Sequence, residues 1–443
     1  MKIVLPVHHF PPRHSAGAEL YTFRLARWLM DRGHAVDVVT FDSIESGAPD
    51  ALTVARDSHQ GVPVWRLSLD LMRAPERRRW TFDNPLLGNW LRQLFADSKP
   101  DLVHFQAGYL IGMSAMRAAR DAHVPALLTL HDYWFLCPRH TLLRGDGSLC
   151  EHIPDNPAEC VWCYEYMWEG RHRKLNQATL GAHRAITLRI MPAQQVQRMS
   201  DRRAGAAEAL AVPRYVIAPS EYLGSRFAPW VDAQRLRVIR YGIDLKPFEL
   251  RPRPDASPGR PLRIGYIGQI ASHKGVHLLI DAFRRLRNSA RPLELHIYGG
   301  LPEDSYVASL RQQASGDPRI HLHGRFDNAH VAEILYGFDA LAVPSIWYEN
   351  MPLAILESYA AGTPVITSGT GGMAEPIHHE RDGMLFKLGD AADLARTLQR
   401  LVDEPALLST LQAGARDNRP DSIDDEMSRV FALYETALAA KQS

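Results

Sequence analysis

Two glutamates with seven residues between them, Glu349 and Glu357, are the acidic pair best placed for chemistry. Pro352 predicts the first turn of a helix and Gly362 its end, so Glu349 precedes the helix and Glu357 lies about 12 Å further along it. Carboxylates so spaced can contact two parts of one elongated ligand, while free N–H groups at the helix start attract a diphosphate between them. Those groups belong to Asn350, Met351 and Leu353. The alternative is a solvated acidic helix, although this one is otherwise apolar.

A glycine-containing loop between a predicted strand and a predicted helix, residues 268–275, is suited to a phosphate. Gly268 permits a close backbone approach, and Lys274 adds a positive charge near the free N–H groups of the next helix. The loop has neither the Gly-Lys-Ser/Thr ending of a Walker A motif nor the spacing of a GxGxxG fingerprint. A tight turn with an exposed lysine is the alternative.

A histidine at the end of a predicted strand, His131, stands where α/β sheets bind ligands. Asp132 follows it, and His8 and His9 follow the first predicted strand at the same edge. All four residues are therefore candidates for contact with one ligand at this edge. A histidine satisfied by backbone partners is the alternative.

These motifs together resemble the retaining GT-B glycosyltransferases of family 4, over nearly the whole chain. In that family the glutamate at the position of Glu357 holds the nucleoside ribose hydroxyls, and the one at Glu349 contacts the donor sugar. The loop with Lys274 binds the diphosphate, and many members have an arginine where this chain has Gln269. A histidine at the position of His131 contacts the donor sugar near the reaction centre. By this resemblance we predict that Asp132 orients His131 or the acceptor of the sugar, and that His8 and His9 contact the acceptor.

Further family elements occur in the expected order. Residues 368–375 resemble the Gly-Gly-x-x-Glu element and residues 382–383 the Asp-Gly element. Gly17 and Glu19, followed by a helix and by Arg-Gly-His at 32–34, resemble the N-terminal glycine loop, which we predict at the acceptor side. The resemblance implies an α/β GT-B fold, in which two Rossmann-like domains face each other across a cleft.

The resemblance also implies a reaction: transfer of a sugar from a nucleotide diphosphate sugar to a hydroxyl acceptor, with retention, in surface glycan or glycolipid synthesis. The predicted catalytic residues are His131, Glu349 and Lys274, with Lys274 and helix N-termini stabilising the leaving phosphate. Retention is usually explained by front-face attack, in which that phosphate deprotonates the acceptor, and the sequence offers no strong candidate for a protein base. The sequence has no Asp-x-Asp motif, so no catalytic divalent metal is expected.

All four cysteines of the chain are clustered: Cys137, Cys150, Cys160 and Cys163. The last two form a Cys-x-x-Cys pair of the kind that holds zinc. We interpret the cluster as a structural zinc site with four thiolate ligands, holding a loop that begins six residues after His131. Disulfides, which are rare in cytoplasmic proteins, and unligated thiols are the alternatives.

A basic segment follows, from residue 169 through a predicted long helix to about residue 211, so that the insert spans about 137–211. Such a helix can lie on a membrane or receive a lipid-diphosphate acceptor. A solvated helix packed on its own domain is the more common arrangement for a charged run.

Apolar strands alternate with helices in both halves, which is typical of parallel α/β sheets. In the first half the strands are predicted at 3–7, 36–41, 102–105, 126–130, 215–218 and 236–240, with a helix at 18–31. In the second half they are predicted at 262–267, 293–298, 320–323, 340–344, 364–367 and 384–386, with helices at 275–287 and 352–361. Domains are therefore predicted at 1–248 and 262–422, joined by a Pro-rich linker at 249–261. A C-terminal helix in 423–443 is expected to pack back on the first domain.

The 443 residues carry 51 Lys and Arg against 50 Asp and Glu, a formal net charge of +1. No global field therefore favours nucleic acid as a partner. The first residues lack the features of a signal peptide, and no apolar run is long enough to span a membrane. We predict a cytoplasmic protein. The sequence leaves open whether it associates with the inner face of the membrane.

Two other classes of function remain. The same architecture serves sugar-nucleotide epimerases and phosphorylases. These enzymes act on a nucleotide sugar or a glycan but catalyse reactions other than sugar transfer from a nucleotide sugar to an acceptor. The cysteines and the basic segment also suit a non-enzymatic, zinc-stapled nucleotide- or nucleic-acid-binding protein, although the balanced charge disfavours it.

Overall fold

The computed structural model describes residues 1–14, 17–45, 47–167, 177–249, 259–287 and 291–442. The chain divides into two compact units: one comprises Met1–Ile239 and Met427–Ser443, the other Arg240–Glu426. Most of the predicted linker, residues 250–258, lies outside the described residues, as do residues 15–16 and the predicted basic run at 169–176.

The first unit contains one eight-stranded sheet. Its strands are β1 (Lys2–Val7), β2 (Ala35–Ser43), β3 (Thr53–His59), β4 (Val62–Leu69), β5 (Leu102–Phe105), β6 (Ala126–Thr129), β7 (Tyr215–Ala218) and β8 (Leu236–Val238). Their order is β3-β4-β2-β1-β5-β6-β7-β8, and only β3 is antiparallel to its neighbour. Buried apolar runs such as β1 and β6 form the centre, as expected for strands covered on both faces.

Helices flank this sheet. They are α1 (Gly17–Met30), α2 (Arg77–Trp80), α3 (Pro85–Ser98), α4 (Gly112–Asp121), α5 (Pro157–Val161), α6 (Gln177–Ile190), α7 (Ala193–Ala211) and α8 (Glu221–Phe227). The long helix predicted to residue 211 is in fact two helices. Pro192 precedes α7, and proline cannot donate the backbone hydrogen bond that an uninterrupted helix requires.

The second unit has a six-stranded, fully parallel sheet. Its strands are β9 (Leu262–Ile267), β10 (Leu293–Tyr298), β11 (Ile320–Gly324), β12 (Ala340–Val343), β13 (Val365–Ser368) and β14 (Gly383–Phe386). The order β11-β10-β9-β12-β13-β14 is the Rossmann order, in which the direction of winding reverses between β9 and β12. Ligands bind at such a reversal, outside the carboxyl ends of the strands.

Helices cover both faces of the second sheet. They are α9 (Lys246–Glu249), α10 (Val276–Arg284), α11 (Ser305–Ala314), α12 (Val331–Tyr336), α13 (Leu353–Ala360), α14 (Ala391–Asp403) and α15 (Pro405–Asp417). Alternate residues of the central strands belong to two separate apolar clusters, one on each face: Ala340 and Ala342 of β12 pack on one face, and Leu341 and Val343 on the other.

The last helix, α16 (Ile423–Gln442), begins in the second unit and continues in the first. The Tyr434 hydroxyl lies 2.7 Å from Nδ1 of buried His104, whose Nε2 lies 2.8 Å from the Thr129 hydroxyl. Burial lowers the pKa of His104 to about 3, so this imidazole is neutral and bonded on both nitrogens. The helix is thereby attached to β5 and β6 through a buried hydrogen-bond chain.

Candidate active site

The loops that follow β9 and β12 are in contact through their backbones, at the point where the winding direction of the second sheet reverses. A Cβ atom on Gly275, whose φ is +72°, would lie 1.9 Å from the carbonyl oxygen of Pro344. The N–H of Ile346 donates to the carbonyl of His273 at 2.9 Å. Only glycine allows both the backbone angle and the close approach at position 275.

Lys274 and Glu349 form an ion pair at this junction. The Lys274 Nζ lies 2.7 Å from Glu349 Oε1, and the same oxygen accepts from the Ser345 hydroxyl at 2.7 Å and from Trp347 Nε1 at 2.8 Å. Burial raises the pKa of the Glu349 carboxyl, but the Lys274 charge and the three hydrogen bonds outweigh it, and the net pKa is below the ordinary value. Glu349 is therefore ionised at neutral pH and is not a proton donor.

The loop after β13 meets the same glutamate through its backbone. The N–H of Gly372 donates to the Glu349 carbonyl at 2.7 Å, and a Cβ on Gly371, at φ +67°, would lie 2.9 Å from that oxygen. Three loops that follow neighbouring strands thus converge on Glu349.

Gly268 and Gln269 begin the loop after β9. Gly268 has φ +154°, and a Cβ there would lie 3.1 Å from the Tyr266 hydroxyl. That hydroxyl donates to the Gln269 carbonyl at 2.7 Å, while the Gln269 side chain is exposed. The backbone at this turn is thus held by a buried tyrosine that the sequence motif did not include.

Helix α13 starts at Leu353, one residue later than predicted, with Pro352 immediately before it. Asn350 and Met351 are buried in the preceding loop, and Glu357 lies half-buried one turn into the helix. The Asp-Gly element is an anchor for this helix, because buried Asp382 accepts from the hydroxyl of Tyr359 at 3.0 Å.

In the first unit, His131 lies at the carboxyl edge of the sheet, two residues after the end of β6, and Asp132 follows it. Asp132 Oδ2 lies 3.0 Å from His140 Nδ1, and Oδ1 accepts from the N–H of Trp134 at 2.7 Å. The residue that faces His131 is Gln106, whose Oε1 lies 3.3 Å from His131 Nε2. Both oxygens of Asp132 are thus engaged with residues of its own loop, and its role toward His131 or the acceptor stays a prediction.

Burial sets the charge of His131. It lowers the pKa of the imidazole to about 4, against the opposing effect of the Asp132 charge. The ring of Tyr21 packs edge-on at 4.9 Å. His131 is therefore a neutral hydrogen-bonding group at physiological pH.

His8 and Glu19 lie together at this edge. His8 Nε2 is 3.4 Å from Glu19 Oε1, and the carboxylate is buried. Burial raises the pKa of Glu19, but the His8 hydrogen bond and charge lower it to a net value below the ordinary one. Gly17, the first residue of α1, has open space at its Cβ position.

His9, the residue after His8, contacts Asp42 and His14. Its Nδ1 lies 2.6 Å from Asp42 Oδ1, and His14 stacks on it at 4.1 Å with its Nε2 3.4 Å from the same oxygen. Burial raises the pKa of Asp42, yet the His9 hydrogen bond and the neighbouring positive charges bring it below the ordinary value.

The four cysteines line a single cavity of about 650 Å³ in the insert. They are free thiols, so the disulfide alternative is not observed. A tetrahedral zinc site would bring the sulfurs to about 3.8 Å from one another. Among the described residues, the groups with donor atoms within 4.8 Å of one another are His9, His14 and Asp42, and Glu294, His296 and His321. The thiols therefore share a cavity without forming a closed metal site.

Two arginines of α7 contact residues in or near the cysteine-containing part of the insert. Arg203 Nη2 lies 3.0 Å from Cys160 Sγ, and Arg202 lies 4.9 Å over the Trp134 ring and donates to the Trp134 carbonyl. Burial lowers the pKa of Arg202 to about 10. This arrangement agrees with the packed-helix alternative, since both charges are engaged within the unit. In the part of the chain that the structure describes, no helix is long and apolar enough to span a membrane.

Several residues of these sites were not predicted from the sequence. Ser345 and Trp347 lie close to the predicted site residues, four and two positions before Glu349. Gln106 is the first residue after β5, and His131 is the second residue after β6. A polar side chain just after a buried strand is the signal that could have identified Gln106.

Two units, each built on a largely parallel sheet with polar side chains at the carboxyl ends of its strands, define an α/β protein of the two-unit type. Glycosyltransferase Family 4 matches residues 15–247, and Glycosyl transferases group 1 matches residues 261–404. The chain belongs to glycosyltransferase family 4. This membership disfavours the epimerase and non-enzymatic alternatives.

Known proteins agree with this assignment. Glycogen synthase from Mycobacterium tuberculosis is 32% identical over 209 residues, which cover 47% of this chain and 49% of the relative, so the chain spans about half the length of that relative. Sucrose-phosphate synthase from Thermosynechococcus elongatus superposes with a TM-score of 0.67 at 20% identity, covering 99% of both chains. Anabaena HepE in complex with UDP and glucose superposes with a TM-score of 0.64 at 18% identity, covering 98% of this chain and 100% of HepE. These structures establish the GT-B fold.

Proposed function

We propose that this protein transfers a sugar from a nucleoside diphosphate sugar to a hydroxyl of a glycan or glycolipid, with retention of anomeric configuration. The observation that carries the proposal is the convergence of three loops on the Lys274 and Glu349 pair at the strand reversal of the second sheet. HepE, a neighbour in fold, was solved with UDP and glucose, which supports a donor of this class.

The donor would lie across the loops after β9 and β12. In this proposal the backbone at Gly268 and Gln269 and the N–H groups of residues 350, 351 and 353 bind the diphosphate, together with Lys274. Glu349 holds Lys274 in place and offers its second oxygen to the sugar. Glu357, further along α13, binds the ribose hydroxyls.

No protein base is required by this proposal. The charge that develops on the leaving diphosphate is stabilised by Lys274 and by helix N-termini, and the phosphate oxygen takes the acceptor proton. His131 is neutral and serves as a hydrogen-bond partner of the sugar, because burial depresses its pKa to about 4. The anomeric coupling constant of the product, measured by NMR, tests retention; an inverted product contradicts it.

The test of the donor class is a thermal-shift screen of UDP-, GDP-, dTDP- and ADP-sugars. We expect one nucleotide to raise the melting temperature in a concentration-dependent manner, because a ligand that binds only the folded protein stabilises it by RT ln(1 + [L]/Kd). The matching free sugar is the control and should give no shift. An absence of any shift at millimolar donor contradicts the proposal, and epimerisation of the donor without acceptor would favour the other enzyme class.

The cysteine cluster is proposed to bind structural zinc, which would draw the four thiols together from the cavity that they line. Burial raises the pKa of Cys137 to about 12, so the thiolate that zinc requires would form only with the metal present. By elemental analysis of protein purified without chelator, we expect the wild type to contain about one zinc per chain more than Cys163→Ser. Ser409→Ala, which changes an exposed serine of the second unit, serves as an unrelated control. Metal-free protein that melts at the same temperature as zinc-treated protein would contradict this assignment.

A further inference from the structure

Four side chains with metal-binding chemistry lie on one face of the second sheet, at its β10–β11 edge. Glu294 and His296 alternate along β10, and His321 and His323 alternate along β11. The strands are parallel and in register, with His296 opposite His321. Period-two alternation therefore directs all four side chains to the same face.

The donor atoms of three of these residues converge. One ligand atom each from Glu294, His296 and His321 lies within 4.8 Å of the others. The imidazoles of His296 and His321 are stacked at 4.8 Å, and His296 Nε2 lies 3.1 Å from Glu294 Oε2. Two imidazoles and one carboxylate on neighbouring strands form a ligand set typical of first-row divalent metals such as zinc.

His323 completes the arrangement from outside this set. The register shifts at the end of β10, where Ile297 pairs with Leu322 and Tyr298 pairs with Gly324, so His323 is the extra residue of a β-bulge. Its Nε2 lies 2.9 Å from His296 Nδ1. A metal-ligating histidine commonly donates its other N–H to such a partner, which fixes the ring orientation.

The carboxylate is also held by a second contact. Arg263 Nε, on the neighbouring strand β9, donates to Glu294 Oε2 at 2.9 Å. The Glu294 side chain is 25% exposed and that of His296 is 16% exposed, so the site is accessible to a metal ion without opening the core. Because Glu294, His296 and His321 all lie on strands, their donor atoms are held within 4.8 Å of one another by the sheet itself.

We propose that Glu294, His296 and His321 form a site for a zinc-like divalent transition metal, with His323 and Arg263 as outer hydrogen-bond partners. Three protein ligands leave further coordination positions for water. A bound metal would cross-link β11, the edge strand of the sheet, to β10. This site is separate from the cysteines and does not depend on the proposed transferase activity.

The experiment is calorimetric titration of untagged full-length protein with Zn²⁺, Mg²⁺ and Ca²⁺. We expect the wild type to bind one more equivalent of Zn²⁺ than His321→Ala does, and to bind neither Mg²⁺ nor Ca²⁺ at this site, since those ions prefer all-oxygen ligands. His323→Ala should retain that equivalent with about 10- to 100-fold weaker affinity. His330→Ala, which removes another exposed imidazole of the same unit, is the matched control and should behave as the wild type.

The proposal is overturned if wild type and His321→Ala bind the same number of zinc ions. Circular dichroism and melting temperature without metal establish that each variant is folded, and His321→Gln replaces His321→Ala if the latter is not. As an independent measurement, the Cu²⁺-loaded wild type should show two coordinated nitrogens by electron paramagnetic resonance and His321→Gln only one. Equal nitrogen counts would also overturn the assignment.

Discussion

Glu349→Ala is expected to destabilise the protein by about 3 kcal/mol and to weaken donor binding more than any other single substitution. Removal of one partner from a buried ion pair costs about 3–5 kcal/mol because the remaining charge is uncompensated. The low end applies because the Lys274 side chain is 23% exposed and water screens part of its charge. The donors on Ser345 and Trp347 also lose their acceptor.

The measurement is urea unfolding of wild type, Glu349→Ala and Glu349→Gln. The glutamine variant keeps the size and one acceptor oxygen and should fall between the other two. Asp281→Ala, which breaks an exposed pair with Arg285, is the control and should change stability little. An unchanged unfolding midpoint in Glu349→Ala would show that the pair contributes nothing.

The sign of the pH dependence follows from the direction of the pKa shift. The Glu349 carboxyl has a lower pKa in the folded protein than in the unfolded chain, so its contribution is present above the unfolded value of about 4.3 and is lost as pH falls through the folded value. The gap between wild type and Glu349→Gln should therefore persist from pH 8 to about pH 5 and narrow in more acidic solution.

Glu357→Ala is expected to weaken nucleotide binding by about 10- to 100-fold with little loss of stability. A charged hydrogen bond contributes about 1.5–3 kcal/mol, which is at least one factor of ten in affinity. Glu357 is half-buried on α13, so truncation leaves no large cavity. The affinity is measured by calorimetry with the nucleotide found in the donor screen.

Glu303→Ala removes an exposed glutamate from a loop of the same unit and is the matched control. Glu357→Gln retains a hydrogen-bond acceptor and should lose less affinity than Glu357→Ala. If Glu357→Ala binds the nucleotide as tightly as the wild type, the ribose role assigned to this residue is wrong, although the fold assignment stands.

Strand positions were predictable where burial imposes a pattern. All twelve predicted strands are present, with ends within two residues, because each is an apolar run or alternates apolar with polar residues. The two strands that were not predicted, β3 and β4, form a hairpin through Gln60 and Gly61, at φ +48° and +84°. β3 is exposed along nearly its whole length, so no apolar alternation identifies it.

The sequence identified individual residues of the candidate site but not the contacts between them. Lys274 and Glu349 were selected separately, each from the loop that holds it. Their direct pairing depends on β9 lying beside β12, and strand order is a long-range property that local periodicity does not contain. Likewise, the contact of His131 with Gln106, which follows the neighbouring strand β5, was not predicted because it too depends on strand order.

The amino-acid sequence by itself therefore determined the α/β class, the family and the loops that carry the site, because these depend on local pattern and on motif residues in order. Only the tertiary structure decided that Glu349 is a buried, ionised partner of Lys274. It also decided that Arg203 of α7 contacts Cys160, and that the histidines of β10 and β11 share one face. Those facts depend on which strands become neighbours and on the low dielectric of the places where their side chains meet.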